Sequence, residues 1–345
     1  MHVIQLGPYP PPWGGVQANI VAIREYLIAH GVRCSVINLT RHRQSDREGV
    51  YFPKSAGKVI AILIRLRPQV VHLHIGGAVT NRLLLLALVC CLLPKSKAVM
   101  TLHSGGYPTS KDGSSARPWT LRGFVFRRFD RLIAVNEQLA KMFERFGVPS
   151  GRIRVIAPHV LPGTLPGATL PEKLETFFAK HNPVLLSMGW LEPEYDYPLQ
   201  IRALGRVREW HPRAGLLILG DGRLKGELLA QIESSGYGSD VMLAGDVPHE
   251  AALAALARSD VFLRTTLYDG DSISVREALH LHTPVIASDN GMRPAGVRLV
   301  KMADLDAAVQ GILAQLERGR EAPPQLERDD RNAAAVGDLY REITY

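Results

Sequence analysis

The residues with the strongest chemical promise lie together in the second half of the chain. The stretch Tyr268-Asp269-Gly270-Asp271-Ser272-Ile273-Ser274-Val275-Arg276-Glu277-Ala278-Leu279 is followed closely by Thr283-Pro284-Val285-Ile286-Ala287-Ser288-Asp289. An acid and a glycine stand where a predicted strand ends. A helix is predicted to open near Ser272, and Glu277 follows Asp269 by eight positions. The free amides at a helix start suit a phosphate, and the two carboxylates suit sugar hydroxyls. This order predicts a pocket for an anionic, hydroxyl-rich ligand. Asp269 and Asp271 also fit a plain capping role, which is compatible with ligand binding. Asp269-Gly270-Asp271 invites a divalent cation as well, but no third ligand is evident in the sequence, so no metal is expected.

Other candidates stand at predicted strand ends. The loop Gly7-Pro8-Tyr9-Pro10-Pro11-Pro12-Trp13-Gly14-Gly15-Val16-Gln17 joins the first strand to the first helix. Gly14 and Gly15 would let the backbone approach a ligand just before a helix N-terminus. His103 ends the strand Ala98–Leu102 and precedes Ser104-Gly105-Gly106. His72 and His74 alternate along one strand and share a face; His74 is nearer the strand end and is the better site candidate, while His72 fits a satisfied core position. Gly220-Asp221-Gly222-Arg223 follows the strand Gly215–Leu219 and fits a tight turn. Arg264 closes the strand Val261–Arg264 just before the acidic loop.

The elements that must position these residues alternate regularly. In the first half, strands are predicted at Val3–Leu6, Cys34–Asn38, Val70–His74, Ala98–Leu102, Leu132–Val135 and Arg154–Ile156, with helical patterns between several of them. In the second half they fall at Val184–Met188, Gly215–Leu219, Val241–Ala244, Val261–Arg264, Pro284–Ala287 and Val297–Val300, again interleaved with helices. This is α/β organisation with two doubly wound, mostly parallel sheets. The expected division is a domain at 1–165, a Pro/Gly-rich linker at 166–182, a second domain at 183–324 and a C-terminal tail helix within 325–345. Open α/β sheets bind ligands beyond the carboxyl ends of their strands, which is where the candidates cluster.

Composition sets the frame. A chain of 345 residues with 46% hydrophobic and 21% charged residues is an ordinary soluble composition with room for two domains. Residues 1–165 carry 22 Lys and Arg against 7 Asp and Glu, a balance of +15, whereas the remainder carries 19 against 26, a balance of −7. The basic half permits peripheral contact with an anionic membrane without requiring it. No nucleic-acid-binding motif accompanies the charge, so no nucleic acid partner is expected. Cys34, Cys90 and Cys91 form neither a disulfide framework nor a metal spacing, and a reducing cytoplasm is the simplest reading. Met1–Gly7 lacks a basic leader and reads as a strand. The apolar run Leu83–Leu93 is too short to span a bilayer and is predicted to be a buried helix.

The segments Val184–Asp289 and Gly7–Gln17 together resemble retaining GT-B glycosyltransferases, in particular family four. That family places Glu-Gly-Phe-Gly where this chain has Asp269-Gly270-Asp271-Ser272, a second Glu eight positions on, and a Thr-Pro-Val-Ile-Ala-Ser-Asp-like strand. The resemblance implies a GT-B fold of two Rossmann-like domains facing across a cleft. It further implies transfer of a sugar from a nucleotide-diphosphate sugar to a glycan or lipid-linked saccharide acceptor, with retention and without a cofactor. Asp269 would contact the transferred sugar and Glu277 the ribose. His103, in a segment like the family's Thr-Leu-His-Gly, would also contact the sugar. Gly14, Gly15, Gly220, Gly270, Asp271, Ser272, Ile273 and Ser274 would line the donor site, with His74 on the acceptor side. One departure stands out. The family's diphosphate-clamping Arg and Lys align with Trp190 and Tyr195. Arg264, Arg276 and Arg293 are the candidate substitutes, and Trp190 could stack on a base or sugar. A degenerate sugar-nucleotide-binding subunit is the second reading, and another GT-B enzyme such as an epimerase or phosphorylase the third.

Overall fold

A computed structural model describes residues 1–40, 48–159, 161, 169–269, 272–320 and 328–344. The chain divides into two units, Met1–Val160 with Asp329–Tyr345, and Leu161–Arg328.

The first unit is built on β1 (His2–Gly7), β2 (Arg33–Asn38), β3 (Val50–Tyr51), β4 (Val70–Ile75), β5 (Lys97–Leu102), β6 (Arg131–Ala134) and β7 (Ile153–Val155). They form one parallel sheet in the order β3-β2-β1-β4-β5-β6-β7. β1 and β4 are buried along their whole length, as expected for strands covered on both faces by crossover helices. The helices are locally encoded. Thr80 caps Asn81–Cys91, Thr120 caps Leu121–Phe126 and Asn136 caps Glu137–Arg145, each accepting a bond from a first-turn amide. Gly123 is required by crowding, since a Cβ there would lie 2.7 Å from the carbonyl oxygens of Arg117 and Pro118.

The second unit holds β8 (Val184–Met188), β9 (Gly215–Leu219), β10 (Val241–Gly245), β11 (Val261–Arg264), β12 (Val285–Ser288) and β13 (Arg298–Val300). Their order is β10-β9-β8-β11-β12-β13, again parallel. Both sheets therefore run outward from their first strand and then reverse, the doubly wound order of dinucleotide-binding folds. The reversals fall between β1 and β4 and between β8 and β11.

Three expectations are revised. The stretch 166–182, expected as linker, contains the helix Glu172–Lys180, whose Leu174 and Phe177 are buried in the core of the second unit. The tail helix is present as Arg331–Thr344, but it is no appendage. Val336, Leu339 and Tyr340 are buried against Val3, Ile23 and Leu27, so the chain ends by completing the first unit. The apolar helix Asn81–Cys91 is only half as expected: Leu84, Ala87 and Cys90 are buried, whereas Leu85 is exposed.

Candidate functional site

In the second unit the sheet's reversal point carries an ionic cluster. Arg264, the last residue of β11, is buried. Its Nε donates to Asp269 Oδ2 at 2.9 Å, and its Nη1 donates to the carbonyl of Met188, the last residue of β8, at 2.9 Å. One guanidinium thus bridges the ends of the two strands that flank the reversal. Its carbon lies 4.7 Å from the centroid of the Tyr195 ring, over its face, a cation–π arrangement. Arg293 reaches the same carboxylate from the other side. Its Nη1 donates to Asp269 Oδ2 at 3.1 Å and its Nη2 to Thr266 Oγ1 at 2.6 Å and to the Arg264 carbonyl at 3.3 Å.

Burial pushes the Asp269 carboxyl up, but Arg264 and then Arg293 outweigh it and hold the group below the ordinary carboxylate range. For Arg264, burial acts against the charge and Asp269 more than restores it, so its affinity for the proton is raised. Arg293 is lowered by burial, only partly offset by Asp269. Asp269 is therefore an ionised carboxylate held by two cations.

The helix Ile273–His280 opens immediately afterwards. Ser272 stands at its N-cap without a side-chain bond to the helix amides, and no acid occupies the first turn. The Ser272 and Ser274 hydroxyls lie 3.2 Å apart. Glu277 is buried one turn in, and its Oε1 lies 2.7 Å from His249 Nε2 at the start of the helix His249–Arg258. Gly270 and Asp271 lie outside the described residues.

The remaining second-unit candidates divide. Trp190 leaves its side chain exposed, immediately after the end of β8. Gly220 is a packing residue: at φ +127° its would-be Cβ meets the Gly189 oxygen at 2.0 Å, and its amide donates to Gly245 at 2.9 Å. Gly189 is equally constrained, because a Cβ at φ +153° would lie 2.1 Å from the Tyr195 ring.

In the first unit, His74 and His103 meet at the ends of β4 and β5, with His74 Nδ1 3.2 Å from His103 Nε2. His74 Nε2 is buried with no hydrogen-bond partner among the described residues. His72 lies 3.9 Å from His74, centroid to centroid, and is satisfied on both sides, by Tyr340 Oη at 2.5 Å and Thr101 Oγ1 at 2.7 Å. Burial lowers His72 and His103 to about 3 and carries His74 well below its ordinary value, so all three rings are neutral near pH 7. Gly14, extended at φ −167°, precedes the helix Gly15–Ala29, which has no acid in its first turn. A Cβ on Gly7 would meet Ile20 at 2.7 Å and the Cβ of His74 at 3.1 Å, so the end of β1 must stay bare.

Sequence reasoning did not identify His249 or the Tyr195 platform. Pro248-His249, opening a helix after a strand of a parallel sheet, was the available signal for the first. Among the described residues no three His, Cys, Asp or Glu side chains gather as a metal would require.

Comparisons with known proteins agree with this layout. Residues 13–160 match the family described as Glycosyltransferase Family 4, and residues 172–302 match Glycosyl transferases group 1. An uncharacterized glycosyltransferase of Methanocaldococcus jannaschii is 26% identical over 243 residues, covering 68% of this chain and 59% of the relative. The glycogen synthase of Mycobacterium tuberculosis is 26% identical over 283 residues, covering 76% of this chain and 65% of the relative. The chain thus spans about 59 to 65% of the length of these relatives. Among solved structures, Anabaena HepE in complex with UDP-glucose superposes with a TM-score of 0.70 at 16% identity, covering 100% of this chain and 94% of that one. The catalytic domain of Arabidopsis thaliana starch synthase IV, bound to ADP and acarbose, gives 0.74 at 12% identity, covering 100% and 99%. At these identities the likeness is one of fold. Both halves of the chain match glycosyltransferase families, and the fold is that of GT-B glycosyltransferases.

Proposed function

We propose that this chain is a retaining glycosyltransferase that moves a sugar from a nucleoside diphosphate sugar to a hydroxyl of a glycan or lipid-linked saccharide. The observation that carries the reading is the grouping at the β8/β11 reversal. Arg264, Asp269 and Arg293 stand there beside a helix start whose amides Ser272 does not cap, with Glu277 buried behind it. Matches of both halves to glycosyltransferase families support it, as do fold neighbours in complex with UDP-glucose and with ADP.

In this reading the leaving diphosphate docks against the amides of Ile273–His280. Arg264, propped on Tyr195, supplies the charge that Trp190 and Tyr195 do not. Neutralising the leaving group is the largest task, worth about 3 kcal/mol for one good contact. Asp269 fixes the arginine and adjoins the sugar. Glu277 takes the ribose hydroxyls, held by His249. Neutral His103, with His74 behind it, offers a hydrogen bond to the transferred sugar. The leaving phosphate deprotonates the acceptor on the same face. No metal is part of the scheme, and a chelator is expected to leave turnover unchanged.

A thermal-shift screen against UDP, GDP, ADP and dTDP and their sugars tests it. One nucleotide is expected to stabilise the chain, and NMR of the product is expected to give the donor's anomeric configuration. Stabilisation by none of them would sink the assignment, and an inverted product would sink retention. The exchange of the usual Arg and Lys for Trp190 and Tyr195 favours a second reading, a subunit that binds a sugar nucleotide without turning it over. It is distinguished by nucleotide binding with no nucleotide release.

A further inference from the structure

We infer that the first unit carries a docking surface for an anionic lipid bilayer, formed by the outer face of the helix Asn81–Cys91 and the adjoining segment Arg117–Arg128. The inference does not rest on the proposed activity.

The helix Asn81–Cys91 has no charged residue after Arg82. An isolated helix that is apolar all round belongs in a core, yet only one face of this one is covered. Leu85 is 65% exposed and Leu92, seven positions on and so on the same stripe, is 66% exposed. The short helix Leu121–Phe126 packs against it. Arg122, donating to the Val79 carbonyl at 3.1 Å, ties that segment to the loop before Asn81. The second segment exposes Trp119 at 80%, Leu121 at 57% and Phe124 at 41%. Single exposed leucines are ordinary. Five large apolar side chains on two touching elements are not, and such patches mark interaction surfaces.

Charge selects the occupant. Residues 81–131 contain nine Lys and Arg but only two acids, Asp112 and Asp130. Both acids are already paired, with Arg122 at 2.6 Å and Lys97 at 3.3 Å. Arg82, Lys95, Arg117, Arg127 and Arg128 are exposed on these elements and the residues flanking them, and none is paired with an acid among the described residues. The Arg128 guanidinium lies 3.6 Å over the Phe124 ring, so apolar ring and cation point outward together, as side chains do at a lipid interface. A second copy docking through the same face would bring like-charged rims together, whereas acidic headgroups complement them. The surface would bind in the plane of the membrane, since no helix among the described residues is long and apolar enough to cross one.

The test is co-sedimentation of the full chain with vesicles of phosphatidylcholine alone and of phosphatidylcholine with phosphatidylglycerol. Binding is expected only to the second kind and is expected to fall with salt. Arg82→Glu and Arg128→Glu should each weaken it by at least about fivefold. Trp119→Ser with Leu85→Ser should weaken it more than tenfold, and Trp119→Phe should remove the quenching of tryptophan emission by brominated lipid. Melting temperatures report whether the serine variants fold; the charge variants decide the matter if they do not. Equal sedimentation of wild type and charge variants would overturn the proposal, as would absence of binding to anionic vesicles. A lipid-free dimer lost on Trp119→Ser, without vesicle binding, would assign the face to a second copy instead.

Discussion

Arg264 is a buried charge at the end of β11, and its surroundings are built to tolerate it. The guanidinium is fixed by Asp269, by the Met188 carbonyl and by the Tyr195 ring. Removing one partner of a buried ion pair leaves the other uncompensated, which typically costs more than the pair contributes. Arg264→Ala is therefore expected to lower unfolding stability by about 3 kcal/mol, with Arg293 limiting the damage. The same change should weaken nucleoside diphosphate binding by about tenfold or more, the effect of losing a charged hydrogen bond. The two roles separate in a double variant. Adding Asp269→Asn to Arg264→Ala removes the stranded carboxylate, so chemical denaturation should show partial recovery of stability. Calorimetry with the nucleotide that the screen identifies should show no recovery of affinity. If affinity returned together with stability, Arg264 would be a structural residue only.

At the scale of elements, β4, β5 and the C-terminal helix share a buried polar seam. Tyr340 from the helix and Thr101 from β5 hold His72, and His74 stacks between His72 and His103. His72 and His103 are lowered to about 3, by burial first and for His72 also by its neighbour His103. Between pH 6.5 and 3 the unfolded histidines take up protons that the folded ones refuse. Stability is thus fully present above about 6.5 and falls as the pH drops, by roughly 2 kcal/mol at pH 5 for each of these two rings. His74 and His2, also lowered by burial, act in the same direction. The depressed carboxylates lose their contribution as the pH falls through and below the ordinary carboxylate range, and Asp196, raised by burial, acts with the opposite sign, so a fall from pH 7 to 5 reports the histidines. Urea midpoints measured across that interval should fall steadily, and a flat profile would contradict the buried neutral seam. The strands of this seam were legible in the sequence, because buried parallel strands are continuous apolar runs bounded by turn residues. His74 and His103 were legible as site candidates because both close strands. What holds them was not. Tyr340 lies 268 positions from His72, and a helical pattern does not say which sheet it will cover. The Tyr195–Arg264 platform was hidden for the same reason: each residue is unremarkable in its own window. The outer face of Asn81–Cys91 was misread as core because apolar content alone does not distinguish a covered face from a bare one.

At the scale of the molecule, the route of the chain has a consequence for folding. The second unit is continuous in sequence, whereas the first is closed by the helix Arg331–Thr344, which returns after the second has been completed. Without that helix, Val3, Ile23 and Leu27 would lose Val336, Leu339 and Tyr340 from their cluster. Losing even one buried leucine typically costs 2–5 kcal/mol, roughly, and His72 would lose its Tyr340 partner as well. A fragment of residues 1–160 is therefore expected not to fold, while residues 161–328 melt cooperatively by themselves. The first unit can be rescued by changing only the order of its pieces. The Thr344 hydroxyl lies 3.7 Å from Met1 Sδ, so the end of the returning helix adjoins the start of β1. A permuted chain, with residues 329–345 joined through a short Gly/Ser linker to Met1 and ending at residue 160, keeps every described contact of that unit. Circular dichroism and thermal unfolding should show a native-like cooperative transition for the permuted chain and none for residues 1–160. A stable, cooperative 1–160 fragment would mean that the C-terminal helix only decorates the first unit.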